Sequence, residues 1–430
     1  MTSSKNSTPL TGKQWLAAIY AALVVFVTYA TVFGFRKAYT VGTFDGMEVF
    51  GLGYKEVLVI TQALGYLSSK FFGIKFIAEM KRFGRWKIIL TLVFISWMAW
   101  LFFAIIPAPY NIVFLFLNGF PLGLIWGVVF SYIEGRRATD FIGAAMAVSF
   151  IFSSGLIKSV GQFLMLRFGL TEFWLPFTAG AVFFPILVFF IWMMEKIPPP
   201  DQQDIEARTE RVPMSKKDRT RFIRAFLPGL LILVILYIFL TVFRDIRDNF
   251  VADMWKEMGY FDQPALFTKT ETPITLATLV LVGSLIMVRN NFRALLYIHL
   301  IVMAGFIVAG ISTFLFVQGS ISPVSWITLV GLGLYMGYIP YNCVLFERLI
   351  ATFRFPGNVG FLIYIADSFG YLGSVSVILG KAVMSANDIS IRWTTFYSNS
   401  VIWLSVLGVA GCILSIVYFS GKFKQLQQQS

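Results

Sequence analysis

Arg36, Lys37, Lys70 and Arg244 lie inside stretches that are otherwise too apolar for water. A charge at mid-membrane costs roughly 3 kcal/mol or more, so it is rare unless it faces a cavity or a partner. Several cations with few acids at similar depth point to a pocket for an anion. An arginine fork can bind phosphate or carboxylate through two bonds, and lysine adds a point charge. Lys158 is a further candidate, nearer a helix end. Tyr29 and Tyr237 each stand seven residues before one of the two arginines and are candidate lining residues.

Each cation also has a plainer reading. Arg36 lies about 30 Å along a helix from Leu16 and can snorkel to the outer interface. Lys70 lies about 21 Å from the outer end of its helix, where snorkelling is harder. Arg244 and Asp248 are one turn apart and can form a local ion pair. Asp367 is the exception in sign, about 17 Å into its helix and near mid-depth. Three roles are open to it: counter-ion for Arg36 or Lys70 in an empty site, proton carrier, or local helix contact.

The elements that must position these residues are membrane helices. Of 430 residues, 57% are hydrophobic and only 13% charged, against about 25% charged in a soluble domain. The net charge of +13 then reflects basic cytoplasmic loops facing anionic lipid, not nucleic acid. No soluble stretch is long enough for a nucleic-acid module. Cys343 and Cys412 have no metal-ligand spacing, and His299 stands alone as a polar helix contact. The phosphate-loop motif of ATP-driven pumps is missing, and no nucleophile–base pair stands out. The sequence therefore predicts a non-enzyme without metal or cofactor, working as a monomer. The polar stretch Met1–Gln14 precedes an apolar segment too long for a cleaved signal, so it reads as an uncleaved first span.

A span needs about 20 apolar residues. Twelve stretches qualify: 16–41, 56–79, 86–106, 110–134, 139–165, 172–195, 225–254, 268–289, 292–317, 323–350, 356–384 and 394–420. Helix is the form expected, because isolated strands leave backbone groups unpaired in lipid. Lys81, Arg82, Arg85 and Lys87 follow span 2, and Arg136 and Arg137 follow span 4. Arg289, Arg293, Arg348, Arg354, Lys422 and Lys424 fall on the same side. The positive-inside rule then places both termini in the cytoplasm of a cell inner (plasma) membrane protein.

A polar connection, 196–222, separates an expected N-terminal bundle, 1–195, from a C-terminal bundle, 223–430. The halves echo each other. Span 4 carries Gly119, Gly123 and Gly127 and ends at Glu134; span 10 carries Gly333 and Gly337 and ends at Glu347-Arg348. Small residues let helices pack closely. Duplicated six-span halves place a site between them. Glu134 and Glu347, at inner helix ends, are expected to pair with nearby arginines.

The loop Ala78-Glu79-Met80-Lys81-Arg82-Phe83-Gly84-Arg85-Trp86-Lys87 resembles the acidic-basic-Gly-Arg signature of the major facilitator superfamily, with Glu for Asp and looser spacing. The resemblance covers nearly the whole chain. It implies an all-α fold of two pseudo-symmetric six-helix bundles. It makes Glu79, Arg82, Arg85, Glu134, Arg136, Glu347 and Arg348 gating residues that link helix ends when the inner side closes. Phe35-Arg36-Lys37, Gly65-Tyr66-Leu67-Ser68-Ser69-Lys70-Phe71-Phe72-Gly73 and Phe243-Arg244 are similar to stretches of the organophosphate:phosphate antiporter branch. There the two arginines hold the phosphate and the lysine adds charge. The helix 5 histidine of that branch has no counterpart near Phe152 and Ser153. The resemblance implies a carrier of a small organic anion, exchanged for phosphate by alternating access. A proton-coupled carboxylate or other solute symporter, and a receptor or scaffold that kept the fold, are the alternatives.

Overall fold

The computed structural model describes residues 11–79, 84–134, 136–202, 204, 216–353, 359–386 and 391–429. Twelve long helices run through them. They are α1 (Gly12–Val41), α2 (Tyr54–Glu79), α3 (Arg85–Ile105), α4 (Val113–Phe130), α5 (Thr139–Phe168) and α6 (Leu175–Glu195), then α7 (Lys216–Glu257), α8 (Ala265–Ile286), α9 (Asn291–Val317), α10 (Pro323–Phe353), α11 (Val359–Ala386) and α12 (Trp393–Gln429). Eleven meet a strict hydropathy criterion for crossing a membrane. The twelfth, α2, has 26 residues, and positions 57–74 of it carry a single charge, Lys70. An even number of crossings puts both ends of the chain on one face, here the terminal face. The 42–53 loop lies on the far face.

Local chemistry sets the ends. Thr11 and Gln14 form a reciprocal capping box at the start of α1, satisfying backbone donors that the first turn leaves free. Several helices outrun their apolar stretches: α7 covers 216–257 and α12 covers 393–429, against expected spans of 225–254 and 394–420. Hydropathy reports the lipid-buried part, whereas backbone hydrogen bonding continues into water. A hairpin of two-residue strands, Glu48–Val49 with Leu52–Gly53, is a small addition to the all-α expectation. Phe50 and Gly51 at its tip have φ of 56° and 72°, the left-handed pair that a tight primed turn requires.

Two expected spans are not continuous α-helix. The first breaks after Val32, resumes over Gly34–Lys37 and ends in a 3-10 turn at Ala38–Val41. The tenth passes through a π-turn at Tyr341–Leu345 after Pro340; such turns often mark functional positions. Small residues govern the packing, as lipid offers no hydrophobic drive between helices. Gly65 of α2 sits against the Phe116 backbone of α4, and Gly119 of α4 against the Gln62 backbone of α2. One apolar cluster fills the core of α1 and α3–α6. A second fills α7–α12 and reaches across to Tyr39, Tyr54, Trp100 and Ile151 of the first half.

Candidate functional site

The break in α1 leaves carbonyls without helical partners, and buried side chains satisfy them. Trp100 Nε1 and Asn118 Nδ2 donate to Phe35 O at 2.6 and 2.9 Å. Gln62 Nε2 donates to Arg36 O at 2.8 Å and to Asn118 Oδ1 at 2.8 Å. Three neighbouring helices thus fix the turn that carries Arg36 and Lys37. Arg36 points inward rather than to an interface: its guanidinium lies over the Tyr66 ring at 4.0 Å. Its Nε is buried without a hydrogen-bond partner. No ion pair joins Arg36 to an acid among the described residues.

Around it stand the other central charges. Lys70 lies 4.9 Å from the same ring and 3.9 Å from Asp367. Asp367 accepts from the Tyr237 hydroxyl. Arg244 donates through Nε and Nη2 to Asp245 Oδ1, at 3.0 and 2.6 Å, and through Nη1 to the Tyr338 hydroxyl. Its guanidinium lies 4.5 Å from the Tyr338 ring centre and 5.4 Å from that of Tyr371. Tyr66 and Tyr371 bridge the two halves at 5.4 Å between centroids. Tyr29 packs edge-on against Trp126 and Phe33 beneath Arg36. The site is a box of tyrosines holding cations by their faces, a contact that strengthens as water is excluded.

The structure ties Lys37 and Lys158 to Asp248, although Lys37 lines the same cleft as Arg36. Lys37 Nζ lies 2.5 Å from Asn249 Oδ1 and 3.4 Å from Asp248, and Lys158 lies 2.7 Å from Asp248. The local Arg244–Asp248 pair is therefore not formed. Two lysines from the other half take Asp248, and the adjacent Asp245 takes the arginine. Sequence reasoning missed Asp245, Tyr338, Tyr371 and Asn342. The π-turn brings Asn342 Oδ1 to 3.3 Å from the Tyr237 hydroxyl; Pro340 within an apolar run was the available signal.

The expected gating residues lie at the terminal face. Arg85 donates to Ser131 O at 2.6 Å, Arg136 reaches Pro198 O, and Arg348 donates to Asn291 Oδ1 at 2.8 Å. Glu134 sits in the turn after α4, and Glu347 opens the last stretch of α10. Arg82 and the Glu79 side chain fall outside the described residues.

The far face joins the halves through charge. Lys55 pairs with Asp253 at 2.6 Å, Lys381 with Glu56 at 3.3 Å, and Lys256 with Asp45. Burial lifts the Asp45 carboxyl, but Lys256 and Thr43 outweigh it and hold it below the ordinary carboxylate range. A cleft beneath these pairs reaches Arg36, Asp245 and Tyr371.

A family model described as "Family of unknown function (DUF5690)" matches residues 38–422. No curated protein matches the sequence. Several solved structures are similar. The nucleoside transporter NupG is 12% identical, with a TM-score of 0.62, over 94% of this chain and 99% of that one. A bacterial homologue of the human lysosomal transporter Spinster, inward-facing and unoccupied, is 13% identical, with a TM-score of 0.58, over 96% and 98%. The human organic anion transporter MFSD10 (TETRAN) is 15% identical, with a TM-score of 0.51, over 91% and 98%. At such identities the likeness shows the fold: an all-α, multi-pass membrane protein of the major facilitator type.

Proposed function

The chain belongs to the DUF5690 family of unknown function, and we propose that it is a secondary transporter moving a small organic anion by alternating access. The observation that carries this reading is Arg36, a cation lining a cleft whose acid, Asp245, is taken by Arg244. Arg244 has Asp245 and Lys70 has Asp367. An uncompensated charge away from water is costly, and a phosphate or carboxylate on Arg36 removes that cost. The fork suits two bonds to one such group.

The finer reading, an organophosphate exchanged for phosphate, draws on the stretches around Arg36, Lys70 and Arg244. In it the incoming anion takes Lys70 from Asp367 and draws Arg244 from the opposite half. Bundles at 1–195 and 223–430 rock about that point, and basic loops keep the terminal face in the cytoplasm. The Asp367–Lys70 pair favours a counter-ion role for Asp367 over proton carriage.

Arg36→Lys keeps the charge and loses the fork. Loss of a charge-assisted bond is worth about 1.5–3 kcal/mol. Affinity for phosphate and glycerol phosphate, read by calorimetry on purified protein, should fall roughly tenfold or more. Unchanged affinity would remove Arg36 from the site. Anion binding without exchange in proteoliposomes would leave a receptor in place of a transporter.

A further inference from the structure

Two seams join the halves, and they are built differently. On one, α5 meets α8 backbone to backbone. A Cβ placed on Gly155 would sit 2.6 Å from Phe267 O. Ser159 Oγ donates to Pro264 O at 2.6 Å and lies 2.7 Å from Thr268 Oγ1. On the other, α2 and α11 run antiparallel and meet through side-chain ends. Lys70 with Asp367, Tyr66 with Tyr371 and Glu56 with Lys381 are the rungs. Between the last two rungs lies the cleft, walled by Val59, Ile60, Gln62 and Ala63 of α2 and by Ser374, Val375 and Ile378 of α11.

The cleft has two unlike ends. Its inner end is polar, with Arg36 and Lys37 beside Asp245 and Asn249. At its outer lip Ile60, Ala63 and Val375 are half-buried. The neighbouring Leu64, Leu372 and Leu379 turn apolar side chains outward, 44%, 55% and 42% exposed. That surface faces lipid in a membrane protein. A passage with apolar side chains at its lipid lip and the cations Arg36 and Lys37 at its inner end does little for a compact hydrophilic anion. It lets an anionic head reach Arg36 while an attached alkyl chain stays in apolar surroundings and never crosses the polar centre.

We infer that the α2–α11 seam is a lateral portal, and that the substrate is a single-chain amphiphile with a phosphate head. The inference rests on the anion reading of Arg36 and adds the nature of the organic part. The head sits on Arg36, and the chain leaves between Ala63 and Val375. The close α5–α8 seam leaves the other side shut.

The test is competition against labelled inorganic phosphate, with the whole protein in lipid nanodiscs. Dodecyl phosphate should displace the label, and dodecyltrimethylammonium, equally lipid-soluble but of the wrong charge, should not. Ala63→Trp and Val375→Trp fill the passage. Each should lower the ratio of dodecyl phosphate to inorganic phosphate affinity by roughly tenfold, the scale of an overpacked site. If inorganic phosphate binds and dodecyl phosphate does not compete, the portal is wrong and the anion site stands. The same holds if the affinity ratio is unmoved in the tryptophan variants. If neither anion binds the wild type, both readings fall. The wild-type competition decides the question even if a variant fails to fold.

Discussion

Asp367 stands where two roles diverge. Its carboxylate lies 3.9 Å from Lys70 and accepts from Tyr237. As a counter-ion it only balances charge, so Asp367→Asn leaves the site more positive. Anion affinity should then hold or rise, release should slow, and exchange should ignore a pH gradient. A coupling acid must gain and lose a proton in each cycle, so the same variant would abolish gradient-driven uptake and spare exchange. Uptake with and without an imposed gradient separates the two. Wild-type uptake that follows the gradient would overturn the counter-ion role. The central cations were legible as residue types, because a charge in an apolar run is conspicuous. Their pairings were not. Lys158 and Asp248 are 90 residues apart, and helix spacing alone put Asp248 on Arg244. The tyrosine faces were illegible too, since tyrosine is common in membrane helices and only the fold brings Tyr66 to Tyr371.

Hydropathy located all twelve helices but not the break in α1, which depends on partners from other helices. Asn118 Nδ2 donates to Phe35 O and to Ser96 O, and Asn118 Oδ1 accepts from Gln62. Asn118→Leu is close in size and removes all three bonds. The buried Gln62 Nε2 donor loses its Asn118 acceptor, and a buried polar group left unsatisfied costs about 1–3 kcal/mol, so the thermal midpoint should drop. The turn holding Arg36 should also loosen, and phosphate affinity should weaken with it, although Asn118 touches no substrate. A lower midpoint with unchanged affinity would mean that Trp100 and Gln62 hold the turn without it. The π-turn of α10 was similarly hidden. Pro340 signals a disturbed helix, but the direction in which it turns Asn342 follows from packing against α7.

At the scale of the whole molecule, charge closes the far face. Lys55–Asp253, Lys381–Glu56 and Lys256–Asp45 join the halves there, with partners up to 325 residues apart, beyond the reach of any local pattern. The inter-half contact between Ser159 and Thr268, with oxygens 2.7 Å apart, lies on the same side. Cysteines at both positions can approach disulfide geometry without moving the backbone far. Ser159→Cys with Thr268→Cys should therefore oxidise readily in a chain whose Cys343 and Cys412 have been replaced. The bridge holds the far face shut. Exchange in proteoliposomes should stop on oxidation and return with reductant, while phosphate still binds from the terminal face. Each single-cysteine chain should be indifferent to oxidant. Alternating access requires these helices to part in every cycle. A fully bridged protein exchanging at the wild-type rate would show that the halves never separate at α5 and α8, and the rocking mechanism would fail with it.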